Sequence, residues 1–156
     1  MYFQSPEEWS RKKYGEIFVA AQKLANVIQT LLTPQESFFQ MAEETELYPE
    51  SGKRPPFDIL GASGIADHGL FADSLRAYML RKLSVSKPDL LIVHYEDEAL
   101  KTDREINAFV LSNYNLAPFG KVNAYVLWVR KGSALETRMW KMAKEETRQA
   151  TSSSAP

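Results

Sequence analysis

The stretch "PDLLIVHY", residues 88–95, has the pattern that decides the fold class. Its apolar residues follow one another almost without interruption, whereas a strand with one face in water alternates apolar and polar side chains. A run of this kind is typical of a strand covered on both faces, as in a parallel sheet between two layers of helices. The sequence on either side of it should therefore contain further strands separated by helices.

Two more strands and three helices are predicted around this run. Residues 57–60 form a short apolar segment, and residues 71–83, "FADSLRAYMLRKL", place apolar side chains at helical spacing. "KTDREINAFVLSNYNL" predicts a helix capped near Thr102, with Glu105 three residues later. "VNAYVLWV" predicts a strand over residues 122–129, and "SALETRMWKMAKEETRQ" predicts a closing helix.

Strands that alternate with helices over short connections indicate a parallel sheet covered by helices. We expect the strands at residues 57–60, 90–95 and 122–127 to lie parallel, because each is followed by a helix that returns the chain over the sheet. The predicted fold class is α/β, a small parallel sheet with helices packed on both faces, over residues 57–148. Residues 149–156 are polar and predict a flexible tail.

An amphipathic helix is predicted near the start of the chain. Ser5, Pro6 and Glu8 form the pattern of a capping box with proline at the first helical position. A stripe of apolar residues at steps of three and four follows: Ile17, Ala21, Leu24, Ile28 and Leu31. We expect this stripe to pack against the α/β domain or against a second copy of the chain, as a homodimer, because it is too apolar to remain in water.

A second helix and a linker complete the N-terminal part. "TPQESFFQMAEETELYP" predicts a helix from Thr33 that ends before Pro49. Residues 49–56, "PESGKRPP", contain three prolines and a glycine and predict a linker, so that residues 6–48 form a helical extension. Residues 1–5, "MYFQS", resemble what remains of a cleaved purification tag, and the chain is expected to be a fragment of a larger protein.

Composition excludes several classes of protein. The chain has 156 residues, of which 44% are hydrophobic and 25% charged, which fits one globular core with some extension. A net charge of -1 does not favour a nucleic acid as the partner. The absence of cysteine excludes disulfides, thiolate zinc sites and a cysteine nucleophile. No apolar run reaches the roughly 18 residues of a membrane span, so we expect no membrane partner.

The segment "GASG" follows a predicted strand, which is where ligands gather in an α/β sheet because loop amides and helix N-termini present unpaired N–H groups. Its glycines would let the backbone approach an anion, and Ser63 would add a hydroxyl. Lys101 and Thr102 open the next predicted helix and would place an ammonium and a hydroxyl beside the same anion. The alternatives are that the glycines only form the turn and that the lysine is only solvated.

Enzymatic alternatives find weaker patterns. A Ser63 nucleophile with His68 or His94 as base would be a hydrolase, but the segment lacks the G-x-S-x-G elbow. Asp97 and Glu98 stand three or four residues before a lysine, an approximate match to metal-dependent nucleases. Neither G-x-G-x-x-G nor a P-loop is present, so no nucleotide cofactor is expected. The two histidines are far apart in sequence and favour structural roles over a metal site.

Residues 57–146 resemble a BRCT domain. The resemblance rests on a strand ending in "ILGASGI", an amphipathic helix, the strand "DLLIVHY", a helix opening with lysine and threonine, and a final strand running into "VLWVRKGS". Two features depart from that family. Only "SVSKP" stands where the family has a glycine pair and another strand, and the lysine directly precedes the threonine.

The resemblance implies a phosphate site and a function. In that family a Ser-Gly pair and a lysine hold a phosphate, which implies phosphate binding by Ser63, the Gly64 amide and Lys101, with Thr102 beside them. A structural tryptophan near the last helix would be Trp128 or Trp140.

The implied function is a non-enzymatic protein-interaction module that binds a phosphorylated protein or peptide. Its parent would be a nuclear scaffold protein of DNA repair or chromosome segregation. The alternative is an α/β hydrolase or metal-dependent nuclease.

Overall fold

The computed structural model describes residues 5, 8, 11–13, 15–41, 47–58, 71–94, 103–122 and 124–153. Its helices and strands follow in the order α1 (Glu16–Leu31), β1 (Phe38–Gln40), α2 (Leu47–Ser51), α3 (Ala72–Ser86), β2 (Leu90–His94), α4 (Arg104–Asn113), β3 (Tyr114–Val122), β4 (Tyr125–Arg130) and α5 (Ala134–Ser153).

The four strands form one mixed sheet in the order β1-β2-β4-β3. β1 pairs parallel with β2, whereas β4 pairs antiparallel with both β2 and β3. The predicted α/β class is confirmed, but the prediction that the strands are all parallel is wrong. The reason is that β3 ends at Val122 and β4 begins at Tyr125, a connection long enough for a hairpin and far too short for a parallel crossover.

β2 lies at the centre of the sheet and is buried on both faces, as its apolar run predicts. Leu90 and Ile92 belong to the core on one face, and Leu91 and Val93 belong to the core on the other. The described strand ends at His94, inside the predicted range of residues 90–95.

Helices cover both faces of the sheet, as predicted. On the first face α1, α2 and α5 enclose a cluster that includes Leu24, Ile28, Tyr48, Tyr125, Leu127 and Met139. On the second face α3 and α4 enclose a cluster that includes Phe39, Met79, Leu83, Ile106, Val110 and Tyr114. The sheet is therefore the middle layer, and each strand contributes alternate side chains to the two cores.

Asp89, the residue before β2, joins the starts of two strands to the end of a third. Its N–H donates to the carbonyl of Ser37 at 2.9 Å, and its carboxylate accepts from the Ser37 N–H at 3.2 Å, directly before β1. Its carbonyl accepts from the Arg130 N–H at 2.9 Å, and its carboxylate contacts the Arg130 guanidinium at 2.5 Å, at the end of β4. One side chain thus connects a parallel and an antiparallel pairing.

The predicted apolar stripe of α1 packs against the sheet. Ala21, Leu24, Ile28 and Leu31 share the first-face cluster with residues of β2 and β4, whereas nothing is described of the side chain of Ile17. Of the two expected packing partners, the α/β domain is therefore the one observed.

The capping box before α1 is also confirmed, since Ser5 N–H donates to Glu8 at 2.9 Å and Glu8 N–H donates to Ser5 Oγ at 3.2 Å. The prediction of a single long helix that begins at this cap is wrong, because Gly15, at φ 89°, separates the capped segment from α1.

The helix predicted from Thr33 is wrong, because its middle forms β1. The apparent capping signal closes a turn instead, in which the Thr33 N–H donates to the Glu36 carboxylate at 2.9 Å and the Glu36 N–H donates to the Thr33 carbonyl at 3.1 Å. Phe38 and Phe39 are fully buried in the cores on opposite faces of the sheet. Burial on alternating faces favours a strand, and pairing with β2 decides the conformation.

The neighbouring segments differ from prediction in smaller ways. Residues 49–51, the start of the predicted linker, lie in α2, and the rest of the linker is irregular as expected. Phe57 and Asp58 form bends, so that the first half of the strand predicted at residues 57–60 is not a strand, and its second half lies outside the described residues.

The C-terminal elements match the sequence in part. The helix α4 is capped by Asp103, and it ends at Asn113 because Tyr114 turns its buried side chain into the second-face core and begins β3. The predicted cap of α5 is confirmed, since the Glu136 N–H donates to Ser133 Oγ at 3.1 Å, and α5 continues to Ser153, inside the predicted tail. Trp128 packs against the second-face core as predicted, whereas Trp140 is 46% exposed.

Because α1 is buried against the sheet, shortening one of its core side chains should have a large effect on stability. Leu24→Ala should lower the free energy of unfolding by about 2–5 kcal/mol, because a fully buried leucine leaves a cavity between helix and sheet. The exposed neighbour Asn26 provides the control, and Asn26→Ala should change stability by no more than about 0.5 kcal/mol. Urea denaturation followed by circular dichroism measures both, and equal effects would contradict the described packing.

Glu36 and Arg138 connect the turn before β1 to α5. The guanidinium donates to both carboxylate oxygens at 3.0 and 2.5 Å and to the Leu31 carbonyl, at the end of α1, at 3.0 Å. Burial acts to raise the pKa of Glu36, but hydrogen bonds from Arg138 and the Thr33 N–H outweigh burial and hold that pKa below its usual value.

This pair predicts a pH dependence of stability. A carboxyl whose pKa is lowered by folding stabilises the protein above its ordinary pKa, near 4.5, and that contribution is lost as the pH falls through the lower pKa of the folded state. Glu36→Gln should therefore lower stability at pH 7 and show a smaller further loss on acidification than the parent. The exposed Glu145→Gln is the control. Thermal unfolding from pH 7 to pH 3 tests this, and parallel curves for parent and Glu36→Gln would contradict it.

Candidate functional site

The residues predicted to bind phosphate, Ser63, Gly64, Lys101 and Thr102, lie outside the described part of the chain. The same holds for the alternative catalytic residues His68, Asp97 and Glu98. The described residues that border these two segments are Asp58 and Phe71 on one side and His94 and Asp103 on the other. The described elements that lead into and out of these segments are β2, α3 and α4.

Several strand ends meet at one edge of the sheet, which we call the carboxyl edge. The parallel strands β1 and β2 end there at Gln40 and His94. The β3–β4 hairpin also turns there, because Tyr125 is the register partner of both His94 and Val122. In open α/β sheets the crevice outside the carboxyl ends of the parallel strands is the usual place for a ligand.

The N-terminal parts of α3 and α4 are held together beside this edge by Arg76. Its guanidinium contacts the carboxylate of Asp103, the cap of α4, and also the carboxylate of Asp73 in the first turn of α3 at 2.7 Å. The Asp103 side chain is 9% exposed. Hydrogen bonds to Asp73 and Asp103 raise the pKa of Arg76, so that its charge is retained and is shared between two carboxylates.

Asp103 also occupies the first free amides of α4. Its Oδ1 accepts from the N–H groups of Glu105 and Ile106, both at 3.0 Å. This is an N-cap, which satisfies donors that a helix start otherwise leaves open to a ligand. An anion at this edge would therefore find little unoccupied N–H at the beginning of α4 itself.

A second contact joins the described end of the preceding segment to α3. The Asp58 carboxylate accepts from the Tyr78 hydroxyl at 2.7 and 2.9 Å and lies 3.3 Å from Lys82 Nζ. The hydrogen bond from Tyr78, with smaller contributions from the backbone N–H of Asp58 and from Lys82, lowers the pKa of Asp58. These contacts place residue 58, where the described segment ends, beside the middle of α3.

His94 has a packing contact at the carboxyl edge. It is half-buried, and its ring meets the ring of Tyr125 edge to face with centroids 5.6 Å apart. Within the described residues, no group of three or more histidine, aspartate or glutamate side chains is arranged to hold a metal ion. Ser63, the nucleophile that a hydrolase would pair with His94, lies outside those residues.

The opposite edge carries a basic pocket of about 510 Å³ that sequence reasoning missed. Lys87, Arg130 and Lys131 line it, where α3 and α4 end. Lys131 Nζ donates to the carbonyls of Leu111 and Ser112 at 2.6 and 3.3 Å. A cation at this position compensates the negative end of a helix. Helix electrostatics therefore account for Lys131, whereas Arg130 contacts the carboxylate of Asp89.

Comparisons with models of protein families, with curated proteins and with solved structures gave no match for this chain. None of the helices in the described part of the chain is both long enough and apolar enough to cross a membrane.

The double role of Asp103 predicts different results for two substitutions. Asp103→Asn keeps a capping oxygen and should retain most of the stability of α4, whereas Asp103→Ala should lose the cap as well, at a cost of about 0.5–2 kcal/mol. Chemical denaturation of both variants, with hydrogen exchange at the Glu105 and Ile106 amides, measures the difference. Equal stability of the two variants, with unchanged exchange at these amides, would contradict a capping role.

Proposed function

We propose that the chain is a non-enzymatic protein-interaction module that binds a phosphorylated peptide at the carboxyl edge. The observation that carries this proposal is the contact of Arg76 with Asp103, which joins the N-terminal parts of α3 and α4. The segment that contains Ser63 and Gly64 leads into α3, and the segment that contains Lys101 and Thr102 leads into α4. The two candidate phosphate-binding segments therefore enter neighbouring helices.

The proposal assigns the main electrostatic role to Lys101. This residue stands two positions before the cap of α4 in the sequence. Arg76 is already paired with two carboxylates, and Asp103 already accepts from the first amides of α4. Lys101 would supply the positive charge, while the Gly64 amide and the hydroxyls of Ser63 and Thr102 would donate hydrogen bonds to the phosphate oxygens.

Only part of the BRCT-like layout is included in this proposal. The central strand β2, the helices on both faces and the half-buried Trp128 agree with the resemblance. The antiparallel β3–β4 hairpin differs from the parallel sheet that the resemblance implies, and Phe57 and Asp58, where it implies a strand before "GASG", form bends. The proposed phosphate site therefore rests on the arrangement of the carboxyl edge, whereas a nuclear scaffold role in DNA repair or chromosome segregation rests on the resemblance alone.

Removing the ammonium of Lys101 tests the proposal. Lys101→Ala should weaken binding of a phosphoserine peptide about tenfold to a hundredfold, because one charge-assisted contact contributes about 1.5–3 kcal/mol. Ser63→Ala should cause a smaller loss, since the Gly64 amide remains. Calorimetric titration with the best peptide from a degenerate library built around phosphoserine, and with its unphosphorylated form, measures both effects.

Two controls make the result specific. Lys87→Ala removes an exposed lysine at the opposite edge and should leave binding unchanged. Thermal unfolding should show that Lys101→Ala is as stable as the parent. The proposal is wrong if the phosphorylated peptide is not preferred or if Lys101→Ala binds as tightly as the parent. Turnover of a generic ester or of nucleic acid, lost in Ser63→Ala or Asp97→Asn, would support the hydrolase or nuclease alternative instead.

A further inference from the structure

The outer edge of β3, together with one side of α5, forms a second surface, on the opposite side of the sheet from β1. β3 is the last strand in the order β1-β2-β4-β3, and no other strand of the described chain pairs with its outer edge. Such an edge presents unpaired N–H and C=O groups that another chain can bind. We define the β3–α5 surface by this edge and by Leu116, Trp140, Lys144 and Arg148.

Large apolar side chains stand on both sides of this edge. Leu116 is 49% exposed, and its register partner is Trp128, whose ring packs against the second-face core. The next residue, Ala117, points to the first-face core, where α5 packs through Met139. On that side Trp140 is 46% exposed and lines a pocket of about 380 Å³ together with Pro118. An extended chain along β3 would therefore place alternate side chains against Leu116 and against Trp140.

The pocket beside Trp140 is positively charged. Lys144 and Arg148 line it, one and two helical turns after Trp140 on the same side of α5. Neither forms an ion pair with another residue among those described. The charge on this side of α5 is thus available to a partner, in contrast to Arg76, Arg130 and Arg138, whose guanidinium groups contact carboxylates.

Pro118 limits how much of the edge can bind. Proline has no N–H to donate, and the register of β3 against β4 shifts between Leu116 and Lys121. The stretch of the outer edge that a regular partner strand can bind is therefore the one before the proline, residues 114–117. A strand with proline in this position is typical of an edge that resists long, unspecific pairing and accepts a short segment.

We propose that the β3–α5 surface binds a short acidic segment of a partner protein, extended as an additional strand on β3. Carboxylates of that segment would contact Lys144 and Arg148, and its apolar side chains would pack on Trp140 and Leu116. Main-chain pairing supplies affinity and the side-chain contacts supply selectivity, as in other cases of strand addition.

Charge and hydrogen bonding favour this occupant over two others. A second copy paired through β3 would present "YNLAPFGKV", which has no acidic residue and would leave Lys144 and Arg148 uncompensated. A nucleic acid would not hydrogen-bond to the strand edge in register, and two cations are few for a phosphate backbone. An acidic peptide can both hydrogen-bond to the strand edge and compensate the charges of Lys144 and Arg148.

The probe for the experiment is a labelled, unphosphorylated peptide of alternating glutamate and valine, with a lysine-valine peptide as the charge control. Fluorescence anisotropy should show binding of the acidic peptide only. The double variant Lys144→Glu/Arg148→Glu should weaken it at least tenfold, and Trp140→Ala should weaken it about tenfold, because aromatic and charged contacts at the centre of an interface contribute most. The double variant Lys12→Glu/Lys87→Glu makes the same charge change elsewhere and should bind like the parent.

Hydrogen exchange locates the contact. Addition of the acidic peptide should slow exchange of amides within residues 114–117 and leave those of β1 unchanged. Lys101→Ala should bind this peptide as the parent does, which separates the result from the phosphopeptide proposal. The inference is overturned if the parent does not bind the acidic peptide, if the Lys144→Glu/Arg148→Glu variant binds unchanged, or if residues 114–117 gain no protection. Preference for single-stranded DNA, or dimerisation through this surface in sedimentation, would also overturn it.

Discussion

Asp89 holds the ends of three strands together, at the point where both neighbours of β2 begin to pair with it. Its backbone and carboxylate bind Ser37 before β1 and Arg130 at the end of β4, so that a parallel and an antiparallel partner meet β2 at the same residue. With both neighbours in register, the apolar residues of β2 alternate between two cores. The placement of helices on both faces, and of the carboxyl edge at the far end of β1 and β2, follows from this arrangement.

Sequence pattern predicted the elements whose conformation is decided locally. The continuous run of β2, the period of α1 and α3 and the Ser133 cap of α5 each contain their own signal. β1 and β3 were missed because their signals are not local. β1 is only three residues long, and its conformation depends on pairing with β2, some fifty residues later in the sequence. The turn before β1 has the sequence pattern of a helix cap, which favours the wrong prediction. β3 contains Asn115 and Pro118, which suit an edge strand and do not suit a central one. Because β3 was not predicted, the β3–β4 hairpin and the antiparallel direction of β4 were not predicted either.

Only part of the candidate site could likewise be predicted from the sequence. A helix beginning just after Lys101 could be inferred, although the cap is Asp103, one residue beyond the predicted threonine. The contact of Arg76 with Asp103 joins residues far apart in sequence and depends on how α3 and α4 pack, which no local pattern records. The basic side of α5 is different, since Trp140, Lys144 and Arg148 recur every four residues and could have been recognised as one side of a helix. The interpretation of this side of α5 as a binding surface depends on the neighbouring edge of β3, a strand that the sequence did not predict.

The bond between Glu36 and Arg138 has a consequence for synthesis of the chain on the ribosome. The carboxylate and the end of α1 emerge about a hundred residues before the guanidinium that binds them, and β1 emerges well before its partner β2. Contacts of such separation form slowly and cannot be completed in the order of translation. The apolar face of α1 therefore lacks its packing partners in the sheet and in α5 until these later elements have been made.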